Sequence, residues 1–542
     1  MAIGTVNGSI RLKADVLVLG GGPAGTWAAV SAAAKGAKVV LADKGYCGSS
    51  GATAPSGTGV WYVKPDARLR EEAKASRYEM GGRLAEHRWM DRVLEKTYEN
   101  MNRLGHEGYP FPKEDDGSPH RRGLQGPEYM KLMRKLTKKA GVKILDHSPA
   151  LELLVDEYGV GGASGVQIQT GTPWMVEAGA VVIATGGCAF LSKALGCNVL
   201  TGDGYLLAAE TGAELSGMEF SNAYAICPTF SSVTKTAFYS YASFYYEDGT
   251  PVEGAGSKRG RSVIARKLME GRQVYAKLDL ASEELKPLLR VNQTNFFLPF
   301  DRRGIDPFND LFPVTLRLEG TVRGTGGIRI VDESCATSVP GLYAAGDAAT
   351  RELICGGFTG GGSHNAAWAM SSGSFAGEGA AAYANKLGEK AASRKLRSAS
   401  SSQIADPGAA GSLSASARTE EIVRAVQEEV TPYDRNLFRT EQKLNDSLER
   451  IDGIWKAQRE LVVERSAAGA KAREAAAMTA TARWMYNSAL ARTESRGMHK
   501  REDYKGTDEN QHHRLISGGL DRVWVKPEAV NEGKTAKEEA VL

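Results

Sequence analysis

Cysteine is scarce in this chain. There are six in 542 residues, Cys47, Cys188, Cys197, Cys227, Cys335 and Cys355, and no two form a CxxC pair. That speaks against a zinc ribbon or an iron–sulfur cluster held by the chain itself. Metal ligands are therefore not expected. So few cysteines fit a reducing compartment, and a cytoplasmic location is expected. The stretch from Met1 to Lys13 lacks an apolar core of signal-peptide length. No apolar run is long enough to span a bilayer, so no membrane insertion is expected. Excess charge is missing too. The 68 Lys and Arg against 64 Asp and Glu leave +4, with no basic stripe or recognition motif, which argues against a nucleic-acid partner. Internal repeats are absent.

What is present is the composition of a globular chain, 42% hydrophobic and 24% charged, long enough for several domains. It opens with an apolar run, Asp15 to Leu19, then glycines, an Ala-rich helix to about Gly36 and a second strand from Lys38 to Ala42. That is a βαβ start. Residues 64–107 read as amphipathic helix, and 150–183 as strands and hairpins. From about Glu219 to Val339 aromatics, prolines and short elements take over. Strand-to-glycine logic returns at Leu342 to Asp347, and a small-residue helix is read from about Ser371 to Leu387. Residues 390–414, rich in Ser, Ala and Gly, read as a flexible, poorly packed linker. Residues 418–494 are strongly helical, and the last stretch is charged and irregular.

The segment Gly20-Gly21-Gly22-Pro23-Ala24-Gly25 fits GxGxxG through Gly20, Gly22 and Gly25. It stands between a strand and a helix, where the mechanism needs it: one glycine turns the chain, one admits a pyrophosphate, one lets helix pack on strand. The helix N-terminus favours phosphate charge. Asp43 ends the next strand and can accept a hydrogen bond from an adenosine ribose. GxGxxG alone does not separate NAD from FAD, and the later pieces do. Gly346-Asp347 places an acid at a strand end, where it can hold a ribitol hydroxyl of a flavin. Ser371-Ser372-Gly373 is read as a helix start whose amides can face the flavin pyrimidine oxygen. Thr201-Gly202-Asp203-Gly204 opens a further helix. Ala184-Thr185-Gly186-Gly187 closes a buried strand on a glycine pair.

The set "VLGGGPAG", "ATGG", "TGDG", "GLYAAGDAA" and "ARTESRGMHKREDY" resembles the flavoprotein subunits of succinate dehydrogenase, fumarate reductase, aspartate oxidase and adenylylsulfate reductase. The likeness covers nearly the whole chain. It implies an α/β fold: a Rossmann-like FAD-binding domain with an inserted α+β capping domain and a C-terminal helical domain. The expected divisions are 1–218 and 340–390 for the FAD domain, 219–339 for the cap, 391–417 for the linker and 418–542 for the helical domain and tail. Gly186 and Gly187 resemble glycines that let backbone lie close to FAD. Pro23, Ala24 and Lys44 fall among the implied FAD contacts. In "KGYCGSSGATAPSGTG" no histidine stands where succinate dehydrogenases link theirs to the flavin. Non-covalent FAD is expected, with Ser49, Ser50, Gly51, Ala52 and Thr53 along its phosphate and flavin side.

The family's proton-donating arginine lies in a motif like "GRDVVAR". Here the match is "GRSVIAR", so Arg261 falls on the donor and Ser262 replaces the acid after it. An arginine normally stays protonated, so acting as an acid asks for a desolvated site. The remaining substrate set departs further. Cys227 replaces a histidine in "CPT". Val322, with Arg323 beside it, falls where another histidine is usual. Gly361 and Gly362 stand where "RLGxNS" has arginine and leucine. Lost clamps of this kind argue against succinate or fumarate as substrate. The segment "GGGSHNAAWAMSSGS" looks closer to adenylylsulfate reductases, with His364 and Trp368 as candidates for substrate contact. The rings Phe238, Tyr239, Tyr241, Phe244, Tyr245 and Tyr246 form a candidate substrate wall. Arg496, His499, Arg501 and Asp503 read as structural braces.

The expectation is an FAD-dependent two-electron oxidoreductase of a small-molecule substrate, with Arg261, His364 and Arg323 handling protons or substrate charge. The resemblance implies electron exchange with a separate iron–sulfur, ferredoxin-like subunit, and an oligomer. Three alternatives stand beside it: a dicarboxylate enzyme with a displaced binding set, a self-sufficient oxidase or desaturase of a ring substrate, and a non-catalytic flavin-containing assembly subunit.

Overall fold

A computed structural model describes residues 5–531 apart from 7, 258, 360–362, 389, 391–393, 406–411 and 460. Its centre is the strand Ser9–Leu19. Val16 to Leu19 are buried on both faces, the continuous apolar run that a strand between parallel neighbours requires. Those neighbours are Val39–Ala42 on one side and Thr172–Ile183 on the other, both parallel, with Val40–Ala42 pairing in parallel to Lys143–Leu145. The strand Thr172–Ile183 changes partner along its length. Its first half pairs antiparallel with Gly159–Gln167, and Val181 to Ile183 pair in parallel with Leu342–Ala344. The chain thus returns to the same sheet after a long excursion, and the carboxyl ends of several parallel strands gather at one edge.

Helix Pro23–Ala34 follows the first strand with proline in its first turn, where the missing N–H is no loss. It packs on helix Ser363–Leu387 through small residues: a side chain on Gly377 would overlap the backbone of Ala28. That helix begins at Ser363, not near Ser371 as the sequence suggests. Ser371 and Ser372 sit buried in its interior, so no helix N-terminus exists at that point to face a cofactor.

The excursion builds its own antiparallel sheet in the order Ala223–Pro228, Phe312–Gly320, Val274–Lys277, Ser243–Tyr245. This sheet ends at Gly320. Beyond it, Gly327–Ile328 pairs with Leu215–Ser216, which in turn joins His513–Gly518. Part of the 219–339 segment therefore belongs to the base of the molecule, not to the insertion.

Two further sequence readings are corrected. Within the expected linker 391–417, the described residues 394–405 are tied down. Arg394, almost fully buried, pairs with Asp156 at 2.6 Å and donates to the Gly159 carbonyl. Arg397–Ser398 and Ile404–Ala405 each add a short strand to a neighbour. The tail is not irregular either. His513–Gly518 and Trp524–Ala529 form a hairpin beside the helices Ser412–Val430, Glu441–Arg459 and Ala467–Ala491. The last helix has Ser466 as its N-cap, accepting from the Gly469 amide at 3.1 Å. Among the described residues no helix is long and apolar enough to cross a membrane.

Candidate active site

A cavity of about 1020 Å³ opens at the carboxyl edge of the parallel strands, with the inserted sheet as its roof. Its floor is the first strand–helix turn. Gly20 adopts φ +109, and a side chain there would overlap the Ala184 carbonyl; one on Gly25 would overlap the Gly20 carbonyl. Only glycine lets strand, turn and helix come this close. Gly20, Gly22, Pro23 and Ala24 line the cavity, whereas Gly25 serves the packing beneath it.

Asp43 closes this turn. One carboxylate oxygen accepts from the Gly21 amide, the other from the Gly45 amide at 2.6 Å and the Ser50 hydroxyl at 2.9 Å. It also faces the cavity. Lys44 beside it donates to Thr201 at 2.9 Å and to Asp203 at 2.6 Å, with Glu474 at 3.2 Å. Burial works against the ammonium, but Asp203 and Glu474 more than offset it and hold its pKa above the usual lysine value. Asp203 borders the cavity. Thr201 and Gly202 stand behind it.

On the next strand Ala184, Thr185 and Gly186 face the cavity, while Gly187 turns toward Thr321. Ser50, Gly51, Ala52 and Thr53 line it, and Ser49 does not. Gly346 and Asp347 complete the rim. Arg351 pairs with Asp347 and donates to the Thr321 carbonyl at 2.9 Å. Burial raises the Asp347 carboxyl above its ordinary range, against the pull of Arg351.

The Gly346 turn is held from below. Its amide donates to the Ser372 hydroxyl at 2.9 Å, and its carbonyl accepts from the Trp368 indole at 3.0 Å. Ser371 bonds Thr97 across the helix interface at 3.1 Å. Ser371, Ser372 and Trp368 therefore shape the rim without lining the cavity. Ser372→Ala would leave the buried Gly346 amide unpaired, at about 1–2 kcal/mol. FAD affinity is expected to fall roughly tenfold on that ground, measured by titrating flavin into the deflavinated protein.

His364 is not at the cavity wall. It is buried against Trp61, ring centroids 4.5 Å apart, and its Nε2 has no partner. Burial, with Arg77 adding to it, pushes its pKa down to about 3. This corrects its expected place in proton transfer, since a ring held neutral and away from the cavity has no proton to give there. The shift affects stability. The unfolded ring titrates near 6.5, so the unfolded state takes up a proton first as pH falls. Stability is full above about 6.5 and declines by about 1.4 kcal/mol per unit below it until pH nears 3. His364→Gln is expected to flatten that part of the unfolding-versus-pH curve.

The roof carries the charge. Arg261, in the first turn of helix Gly260–Met269, lines the cavity with Lys235 and Arg323. Behind them Glu319 is fully buried, 3.5 Å from Lys235 and 3.2 Å from Arg323, and accepts from Thr234 at 2.7 Å. These cations hold the Glu319 carboxyl below its ordinary range in spite of burial. Arg261 has no hydrogen-bond or ion-pair partner among the described residues. Its side chain is open to the cavity yet enclosed by the protein around it. That enclosure, with Arg323 nearby, lowers its pKa below the usual arginine value. Ile226, Phe238, Tyr239 and Phe244 supply an apolar wall. Of the other candidate rings, Tyr245 bonds Asp279 at 2.6 Å and Tyr246 lies under Arg272, both outside the cavity. No histidine or cysteine among the described residues lines it. Cys227 is buried beneath the wall, and Gly361 and Gly362 lie outside the described residues.

Lys235, Glu319, Thr234 and the cavity-lining Asn365, which donates to the Val322 carbonyl at 2.8 Å, escaped the sequence reading. The one available signal was the charge pair Glu319 and Arg323 flanking the end of an otherwise alternating strand.

A glycine turn, strand-end acids and a roofed cleft define a dinucleotide-cofactor enzyme. The FAD binding domain family model matches residues 15–367, more than half of the chain, and the fumarate reductase flavoprotein C-terminal model matches 424–537. The chain belongs to this flavoprotein family and is an FAD-dependent oxidoreductase of the succinate dehydrogenase/fumarate reductase type. An uncharacterised FAD-dependent oxidoreductase of Methanocaldococcus jannaschii is 25% identical, over 95% of this chain and 97% of that protein. A fumarate reductase flavoprotein subunit of Mycobacterium tuberculosis is 25% identical, over 91% and 93%. In fold, the chain is similar to the flavoprotein of E. coli quinol fumarate reductase, TM-score 0.80 at 21% identity over 97% and 98%. It is also similar to adenylylsulfate reductase of Archaeoglobus fulgidus, TM-score 0.73 at 17% identity over 97% of both chains.

The residues fit the group that the family implies. The glycine turn offers bare backbone and a helix N-terminus for a pyrophosphate, Asp43 and Asp347 face the cavity where sugar hydroxyls need acceptors, and the volume exceeds that of common small-ligand pockets.

Proposed function

We propose that this enzyme exchanges two electrons between non-covalently held FAD and a small organic anion other than fumarate or succinate. The observation that carries this is the roof: Lys235 and Arg323 pair with the buried carboxylate Glu319, Arg261 lines the cavity beside them without a partner among the described residues, and no histidine among the described residues lines the cavity. Arg261 is thus left over as a positive charge for a ligand. In a site withdrawn from water such an imbalance is relieved by a bound anion.

Bound FAD supplies hydride transfer at its N5. The chain's own residues do the rest. Asp43 and the glycine turn would hold the adenosine end, and Asp347, fixed by Arg351, would hold the ribitol. Arg323 and the positive field of Lys235, whose ammonium bonds the Leu195 carbonyl at 3.0 Å, favour the substrate anion. Arg261, free of partners and lowered in pKa, holds the proton at its guanidinium for the substrate atom that needs it. The missing histidine in the 44–59 segment supports non-covalent attachment. Relatives named as flavoprotein subunits support a larger assembly, and we assign the onward electron step to an iron–sulfur subunit on that likeness.

The test is an anaerobic dithionite titration followed by acid precipitation. Two electrons per chain and a yellow supernatant are expected. Flavin that stays with the precipitate contradicts non-covalent binding. A dicarboxylate substrate is the second reading, favoured by the fumarate reductase relatives, and is taken up at the end of the Discussion.

A further inference from the structure

We infer that the roofed end of the cavity is a binding site for an organic anion that carries a ring-sized apolar group, an arylcarboxylate in chemical class. This rests on the reading of the cavity as an anion site and adds what lies beside the charge. Lys235, Arg261 and Arg323 line this cavity. Ile226, Phe238, Tyr239 and Phe244 face the same space from the inserted sheet and the segment before it.

This wall is firm. Phe238 packs edge-on to Phe296 at 5.2 Å, and Phe296 in turn on Phe300 at 5.2 Å. Tyr239 lies parallel to Phe244 with centroids 6.4 Å apart. The Tyr239 hydroxyl is buried without a partner. Such a wall offers a planar apolar group burial and ring contact. A compact dicarboxylate would leave the wall bare and set one of its charges against it.

The occupant therefore has one charged end for the cations and one apolar, flat end for the rings. The experiment is a titration of the FAD-loaded, oxidised protein with 3-phenylpropionate, propionate and succinate, followed by the shift of the flavin visible bands and by calorimetry. Phenylpropionate is expected to bind at least about tenfold tighter than propionate, the gain a buried ring provides, and tighter than succinate. Tyr239→Leu and Phe244→Leu are expected to erase most of that preference while keeping propionate binding. The wild-type comparison stands whether or not either variant folds. Equal affinities for the three acids, or tightest binding of succinate, would overturn this inference and leave the anion site in place. No binding of any of the three to protein that retains FAD would overturn the inference together with the anion reading.

Discussion

Arg261→Gln is expected to slow substrate-dependent flavin turnover by about two to three orders of magnitude, with FAD content unchanged. The side chain becomes shorter, keeps a planar donor group and loses its charge. FAD content should hold because Arg261 stands in the roof, while the glycine turn, Asp43 and Asp347 form the floor and rim. The loss arises from two roles at once. Among the described residues the guanidinium is the one cavity cation without an internal partner, so it is free to meet the substrate's charge. Its lowered pKa also makes it a better acid than an exposed arginine. Arg261→Lys separates the two. If charge alone matters, lysine restores most of the rate. If the planar donor matters, lysine restores binding and not kcat. A variant whose rate is within about threefold of the parent would remove Arg261 from the reaction.

Arg492→Leu is expected to destabilise the protein by about 3–5 kcal/mol, the usual consequence of stranding buried charge. Arg492 is fully buried. It pairs with Glu219 at 2.8 Å and Glu494 at 2.9 Å, and donates to the His513 carbonyl at 2.9 Å. Glu494 also binds Arg496 at 2.6 Å, and Arg439 bonds His499 at 2.7 Å and the Glu219 carbonyl at 2.7 Å. The C-terminal motif is thus clamped to the segment where the insertion begins, and Gly497 from that motif reaches the cavity. Burial and the neighbouring Glu219 raise the Glu352 carboxyl in the same cluster, so the network is rich in charge with few spare cations. A lowered unfolding temperature and a smaller yield of soluble, FAD-loaded protein are the readouts. Adding Glu219→Gln should recover part of the loss, because it removes one stranded carboxylate. Additive losses in the double variant would show that the pair is not coupled.

What the sequence made legible was local. The glycine turn, the strand before it and Asp43 could be read because one short stretch contains both the turn chemistry and the element switch. The family signature carried the rest of the FAD floor. Where the reading failed, distant residues decided. Ser371 to Gly373 look like a helix start because glycine and serine interrupt helices. Here Gly373 and Gly377 instead let helix Ser363–Leu387 lie against Ala24 and Ala28, a packing role visible only with both helices in place. The Ser- and Ala-rich stretch after residue 390 looks like a loose tether until Arg394 finds Asp156. His364 resembled a proton carrier, yet its surroundings are set by Trp61, far away in sequence. Lys235 and Glu319 meet only when the inserted sheet closes, and neither lies in a periodic pattern that would single it out.

The central claim, an anion site built for something other than a dicarboxylate, has a direct test. The purified protein is reduced with dithionite under anaerobic conditions, excess reductant is removed, and fumarate is added while the flavin bands are followed. The account predicts bleached bands that stay bleached. Bands that return with one equivalent of fumarate would contradict it, because a site with no histidine among its described lining residues would then be reducing a dicarboxylate after all.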